Sequence, residues 1–201
     1  MIMKRMICLS TVCMFFLVSP SLEAEDITFP DKNGKLVDQG ENYKIRLINS
    51  KGSAVKTAEA IFLIKANPET IFKIVTDFDH YPEFMPNIKE ATPVEKNNGI
   101  YKYRFTLKVA FWDINYTIML KSNINDNTYL LEWEFVEGDI RDTNGSWEIT
   151  QYERNIDYSL ILYRVRTDPG RFVPDWVADR LSTKSIPDMI KAVQKRSIVK
   201  Q

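Results

Sequence analysis

An α+β fold is predicted for this chain, with an antiparallel sheet of about seven strands around one long C-terminal helix and two short helices after the first strand. Three observations predict it. Residues 57–167 alternate apolar and polar side chains in segments joined by short connections, as antiparallel strands with one wet and one buried face do. Two helix starts sit between Ala66 and Pro86. Pro174 to Val199 has helical spacing: Val173, Val177 and Leu181 share one face, and Ile186, Met189, Ile190 and Val193 share another, rotated by roughly 170° at about 100° per residue. A straight helix would not bury both faces. Pro187, between Ser185 and Asp188, marks where the helix bends or restarts.

Taken in order, residues 1–24 form a secretory signal peptide: Lys4 and Arg5 precede an apolar run from Met6 to Val18, and the stretch ends in Ser21-Leu22-Glu23-Ala24 before an acidic start. Both cysteines, Cys8 and Cys13, lie inside it, so its removal leaves no thiol for disulfides, clusters or nucleophilic catalysis. Without the leader the net charge is close to zero, which disfavours a nucleic-acid partner. Residues 25–55 are an N-terminal arm, polar and turn-rich up to Gly40, with a short strand at Tyr43–Ile48. Residues 56–201 form one domain.

That domain opens on a strand at 57–66, apolar on both faces. Asn67-Pro68-Glu69-Thr70 starts a helix, with Asn as cap, Pro first and an acid in the first turn. Pro82 and Pro86 limit the next helix to about Tyr81–Met85. Tyr101, Tyr103, Phe105, Leu107, Val109 and Phe111 then occupy one strand face, Ile114, Tyr116, Ile118 and Leu120 the next, and Leu131, Trp133 and Phe135 a third. A Thr143-Asn144-Gly145 turn leads to Trp147 and Ile149. The strand at Asp157–Arg166 ends the series before Asp168-Pro169-Gly170.

Four segments carry a resemblance. Ala66-Asn67-Pro68-Glu69-Thr70-Ile71-Phe72 is similar to a helix entry, and Asp77-Phe78-Asp79-His80-Tyr81-Pro82-Glu83-Phe84-Met85-Pro86 to a D-x-x-x-Y-P-x-F/W-x-P segment, of the START-like helix-grip superfamily. Gly145-Ser146-Trp147, and Asp168-Pro169-Gly170 leading to Val173-Pro174, resemble its polyketide cyclase/dehydrase and coenzyme Q-binding branch. The resemblance covers about residues 56–198. It implies a curved sheet gripping the terminal helix over an apolar cavity that in relatives holds lipids, sterols, quinones or polyketides. Phe84, Tyr103, Phe105, Tyr116, Trp133, Phe135, Trp147, Trp176 and Met189 are the candidate cavity lining, since aromatic groups supply apolar area with a few polar tips. Ordinary core packing is the alternative for each.

Catalytic groups are sparse. His80 is the single histidine, so no histidine pair or multi-histidine metal site can be built; oriented by Asp77 or Asp79 it is at best a general base. Glu132 and Glu134 share a strand face opposite Trp133, as solvated residues do. Arg164 and Arg166 share another and, pointing inward, would meet a lipid carboxylate or phosphate. Lys191, Lys195, Arg196 and Lys200 complement the helix end or touch anionic head groups. The expectation is an exported, monomeric protein, periplasmic or secreted. It holds a lipid, quinone or isoprenoid-like ligand, uses no cofactor or metal, and makes at most transient contact with a membrane surface. A cyclase/dehydratase-type enzyme and a protein-interaction module are the alternatives.

Overall fold

The computed structural model describes residues 27–50, 55–97, 100–109, 111–170 and 185–199. The leader, Trp176, Lys200 and the first half of the terminal run lie outside them, so the bend or restart expected at Pro187 is described on its C-terminal side alone, where Ser185–Val199 is helix with Pro187 in its first turn.

Among the described residues, nine strands form one curved antiparallel sheet: β1 (Lys35–Gln39), β2 (Tyr43–Ile48), β3 (Thr57–Ile64), β4 (Ile88–Asn97), β5 (Ile100–Val109), β6 (Trp112–Asn125), β7 (Thr128–Gly138), β8 (Asp142–Gln151) and β9 (Ser159–Asp168). Their order is β1-β2-β3-β9-β8-β7-β6-β5-β4. After β3 the chain crosses to the far edge through α1 (Pro68–Val75), a 3-10 turn and α2 (Tyr81–Phe84), then returns strand by strand until β9 pairs with β3. The helix α3 (Ser185–Val199) packs against α1, α2 and β3.

Local chemistry accounts for the crossing. Asn67 Oδ1 accepts the Thr70 N–H at 2.8 Å, Pro68 begins α1, and Lys73 pairs with Glu69 one turn back; such a cap stabilises a helix by about 1 kcal/mol. The apolar faces of α1 and α3 then close on the inner face of the sheet. Ile71, Ile74, Phe62, Ile161, Ile186, Ile190 and Val193 belong to one buried cluster. β3 is buried on both faces, as its sequence predicts. Ala58, Ala60, Phe62 and Ile64 face that cluster, while Ile61 and Leu63 pack outside with Leu162 and with Ile27 and Phe29 of the arm.

Three expectations need correction. The sheet has nine strands rather than seven, the additional ones being β1 and β4, its two edges. All five residues of β1 are exposed, and β4 is polar and interrupted by Pro93, so neither shows alternation; proline is tolerated there because an edge strand leaves part of its backbone unpaired. Phe111 does not share the face of Phe105: Val109 pairs with Trp112, which puts Phe111 in the hairpin turn, fully exposed. Thr143-Asn144-Gly145 is no turn but the interior of β8, with Gly145 opposite Trp133.

Candidate functional site

A cavity of about 200 Å³ lies between α3 and the inner face of β5–β9. Strand parity selects its floor: Phe105 from β5, Tyr116 and Ile118 from β6, Leu131 and Trp133 from β7, Thr143 and Trp147 from β8, and Tyr163, Val165 and Thr167 from β9. Ser185, Ile186 and Met189 of α3 form its roof, and Tyr81 and Met85 to Ile88 close one side. Aromatic rings set the shape. Tyr163 stacks on Trp133 with centroids 5.8 Å apart and leans on Trp147 at 4.7 Å, while Phe105 lies 6.0 Å from Tyr116.

Of the nine lining candidates, Phe105, Tyr116, Trp133, Trp147 and Met189 lie on the cavity wall. Three do not. Tyr103 is buried beside it, and its hydroxyl donates to Asp79 Oδ1 at 2.8 Å, a carboxylate that also accepts from Lys96. Phe84 packs edge-on against Tyr81 and lies under the Arg196 guanidinium, 5.0 Å from ring centre to charge. Phe135 packs behind the wall with Val109, Ile114 and Ile140, of which the two isoleucines line the cavity. Trp176 is outside the described residues. Tyr81, Tyr163 and the Thr143–Thr167 pair were missed, although the parity that exposes Arg164 also turns Tyr163 inward.

The polar groups of the cavity are neutral. Burial pushes the Tyr116 and Tyr163 phenols well above their ordinary value, and that of Tyr81 likewise, so all three stay protonated. The Tyr81 hydroxyl donates to the Val75 carbonyl, and Thr143 and Thr167 bond each other at 2.9 Å. Among the described residues that line the cavity there is no Asp, Glu, Lys, Arg or His.

The charged candidates lie elsewhere. Arg164 and Arg166 point to the outer face of the sheet, contrary to the inward reading, where Arg164 pairs with Glu59 and Arg166 with Asp142. The alternation that places Tyr163, Val165 and Thr167 inside requires this. His80 is exposed, with Nδ1 2.6 Å from Asp77 Oδ1. That hydrogen bond raises its pKa, so the imidazolium–carboxylate attraction is complete below 6.5 and fades as pH rises through the raised value. It does not reach the cavity. Among the described residues, no three His, Cys, Asp or Glu side chains are placed to hold a metal ion.

A curved antiparallel sheet closed by a C-terminal helix over an apolar cavity defines a helix-grip domain. The chain belongs to the family described as polyketide cyclase / dehydrase and lipid transport, whose profile matches residues 64–194. No curated protein matches it in sequence. Among solved structures it is similar to a STAR-related lipid transfer protein from Xanthomonas axonopodis, with TM-score 0.71, 15% identity, and 83% of this chain and 99% of that one covered. Human STARD10 has TM-score 0.70 and 13% identity over 89% and 84% of the two chains. The Zhui aromatase/cyclase of Streptomyces sp. R1128 has TM-score 0.59 and 13% identity over 71% and 93%. At such identities the likeness is one of fold.

Proposed function

We propose that this protein binds and carries a hydrophobic small molecule of the lipid, quinone or isoprenoid kind in the cavity beneath α3, outside the cytoplasm after export. The observation that carries the reading is a preformed space walled by aromatic and aliphatic side chains in a family whose description includes lipid transport. Burial alone supplies useful affinity. At roughly 25 cal/mol per Å² of apolar surface, a few hundred Å² gives micromolar binding after association costs.

The test is native mass spectrometry of protein purified from its own host, with organic extraction of what co-purifies. Its expected result is a bound apolar compound on a chain shortened by about 24 residues. Met189→Glu, which sets a carboxylate in the roof, should release that compound from a protein that still folds. A full-length, ligand-free chain in the cytosol would defeat the proposal. The cyclase half of the family description favours a second reading, in which the cavity folds a flexible substrate and the protonated phenols donate to it. Chemical change in the extracted compound on incubation with fresh protein would select that reading.

A further inference from the structure

On the reading that the cavity holds a hydrophobic ligand, we infer that this ligand is uncharged and carries a carbonyl or hydroxyl oxygen that meets the Tyr116 and Tyr163 hydroxyls. Two observations support this. The first is the wall itself, which among the described residues has no ionisable side chain other than tyrosine. A carboxylate, phosphate or ammonium taken from water into such a space leaves its hydration behind without gaining an opposite charge, which weakens its binding steeply. The nearby charges are already paired away from the wall: Arg164 with Glu59, Arg166 with Asp142, Lys96 with Asp79, and Arg196 with Glu83.

The second observation concerns the two phenols. Tyr116 on β6 and Tyr163 on β9 both line the cavity, and each is buried enough that ionising it is disfavoured. They are near enough for Tyr116 to make ionising Tyr163 harder still. Among the described residues neither hydroxyl has a hydrogen-bond partner, unlike Tyr81 and Tyr103, whose hydroxyls are satisfied by Val75 and Asp79. Both residues are half-buried and neither oxygen is sealed from water, so an occupant that displaces that water without offering a polar atom leaves the hydroxyls unsatisfied. A neutral oxygen on an apolar ligand satisfies both, since each phenol can donate or accept. A hydrocarbon satisfies neither. The faces of Trp133 and Trp147 would attract a cation, but no carboxylate among the described lining residues would accompany it.

The test uses the full chain with dodecane and dodecanol below their solubility limits, and dodecanoate and dodecyltrimethylammonium below their micelle-forming concentrations, followed by tryptophan emission at neutral pH. Dodecanol should bind most tightly. Tyr116→Phe and Tyr163→Phe should each weaken it about fivefold while leaving dodecane within about twofold. Dodecanoate should bind on the order of a hundredfold more weakly, and should recover as pH falls through its own titration and the neutral acid enters. Either charged probe matching dodecanol at neutral pH overturns the inference and leaves the hydrophobic-ligand reading intact. Dodecanol binding unchanged in both Phe variants overturns the oxygen contact. If no probe binds, dodecane included, both the inference and the reading beneath it fall.

Discussion

Gly145 shows how one missing side chain shapes the cavity. It faces Trp133 across the β7–β8 pair, and a Cβ there would lie 2.3 Å from the indole Cζ2 and 2.2 Å from the Arg164 carbonyl oxygen. The indole therefore rests against a bare backbone, which lets it stack on Tyr163 in the cavity wall. Gly145→Ala should cost about 1–3 kcal/mol in urea unfolding, as overpacking of a close contact does, and should shift the tryptophan emission. Trp133→Leu added to it should recover part of that loss. An alanine variant with unchanged stability and emission would show that the ring is not held there. Asn144-Gly145 carries the sequence signature of a hairpin turn. What overrides it is a tertiary contact, the ring opposite, which no local pattern encodes.

The three strands β2, β3 and β9 are tied on their outer face by a buried charge group. Glu59 accepts from the Nε of Arg46 and, at 2.6 Å, from that of Arg164. Arg46 also donates to the Asp31 carbonyl at 2.9 Å and lies over the Phe29 ring, fixing the arm to the sheet. Because Glu59 and Arg46 are both buried, Glu59→Ala should cost about 3 kcal/mol by removing the buried partner of Arg46 and leaving it the half-exposed Asp31 carboxylate, 2.9 Å away, as its counter-charge. Glu59→Leu combined with Arg46→Leu should cost far less. Chemical denaturation of the two variants measures the difference, and a single-variant loss below about 1 kcal/mol would count against the account. None of this group was visible in the sequence, where Glu59 fell in an ordinary apolar strand and Arg164 was free to face either way. The inner strands were legible because burial on one face imposes a period of two on β5 to β7. The edges β1 and β4 bury too little to leave such a mark. The cavity wall was partly legible for the same reason: parity fixes which face Phe105, Tyr116 and Trp133 occupy. It does not say that Tyr103 is claimed by Asp79 or that Phe135 packs with Ile140.

The molecule as a whole is a hairpin series, β4 to β9, joined to β1–β3 along a single seam where Ala58 meets Val165 and Ile64 meets Ser159. The floor of the cavity belongs to the series, whereas its roof, α3, is held chiefly by α1 and β3 from across the seam, with α2 at its side. The consequence is kinetic. The hairpins form from close neighbours, but the seam closes a loop of about a hundred residues, an entropic cost of about 4 kcal/mol before any contact across it is gained. The roof settles after that barrier, so the transition state for folding lacks a finished cavity. A ligand such as dodecanol should therefore slow unfolding and leave the folding rate alone. In stopped-flow measurements over a range of urea, it should lower the unfolding arm and leave the folding arm in place. A folding arm accelerated by ligand would show that the roof is already seated when the seam closes.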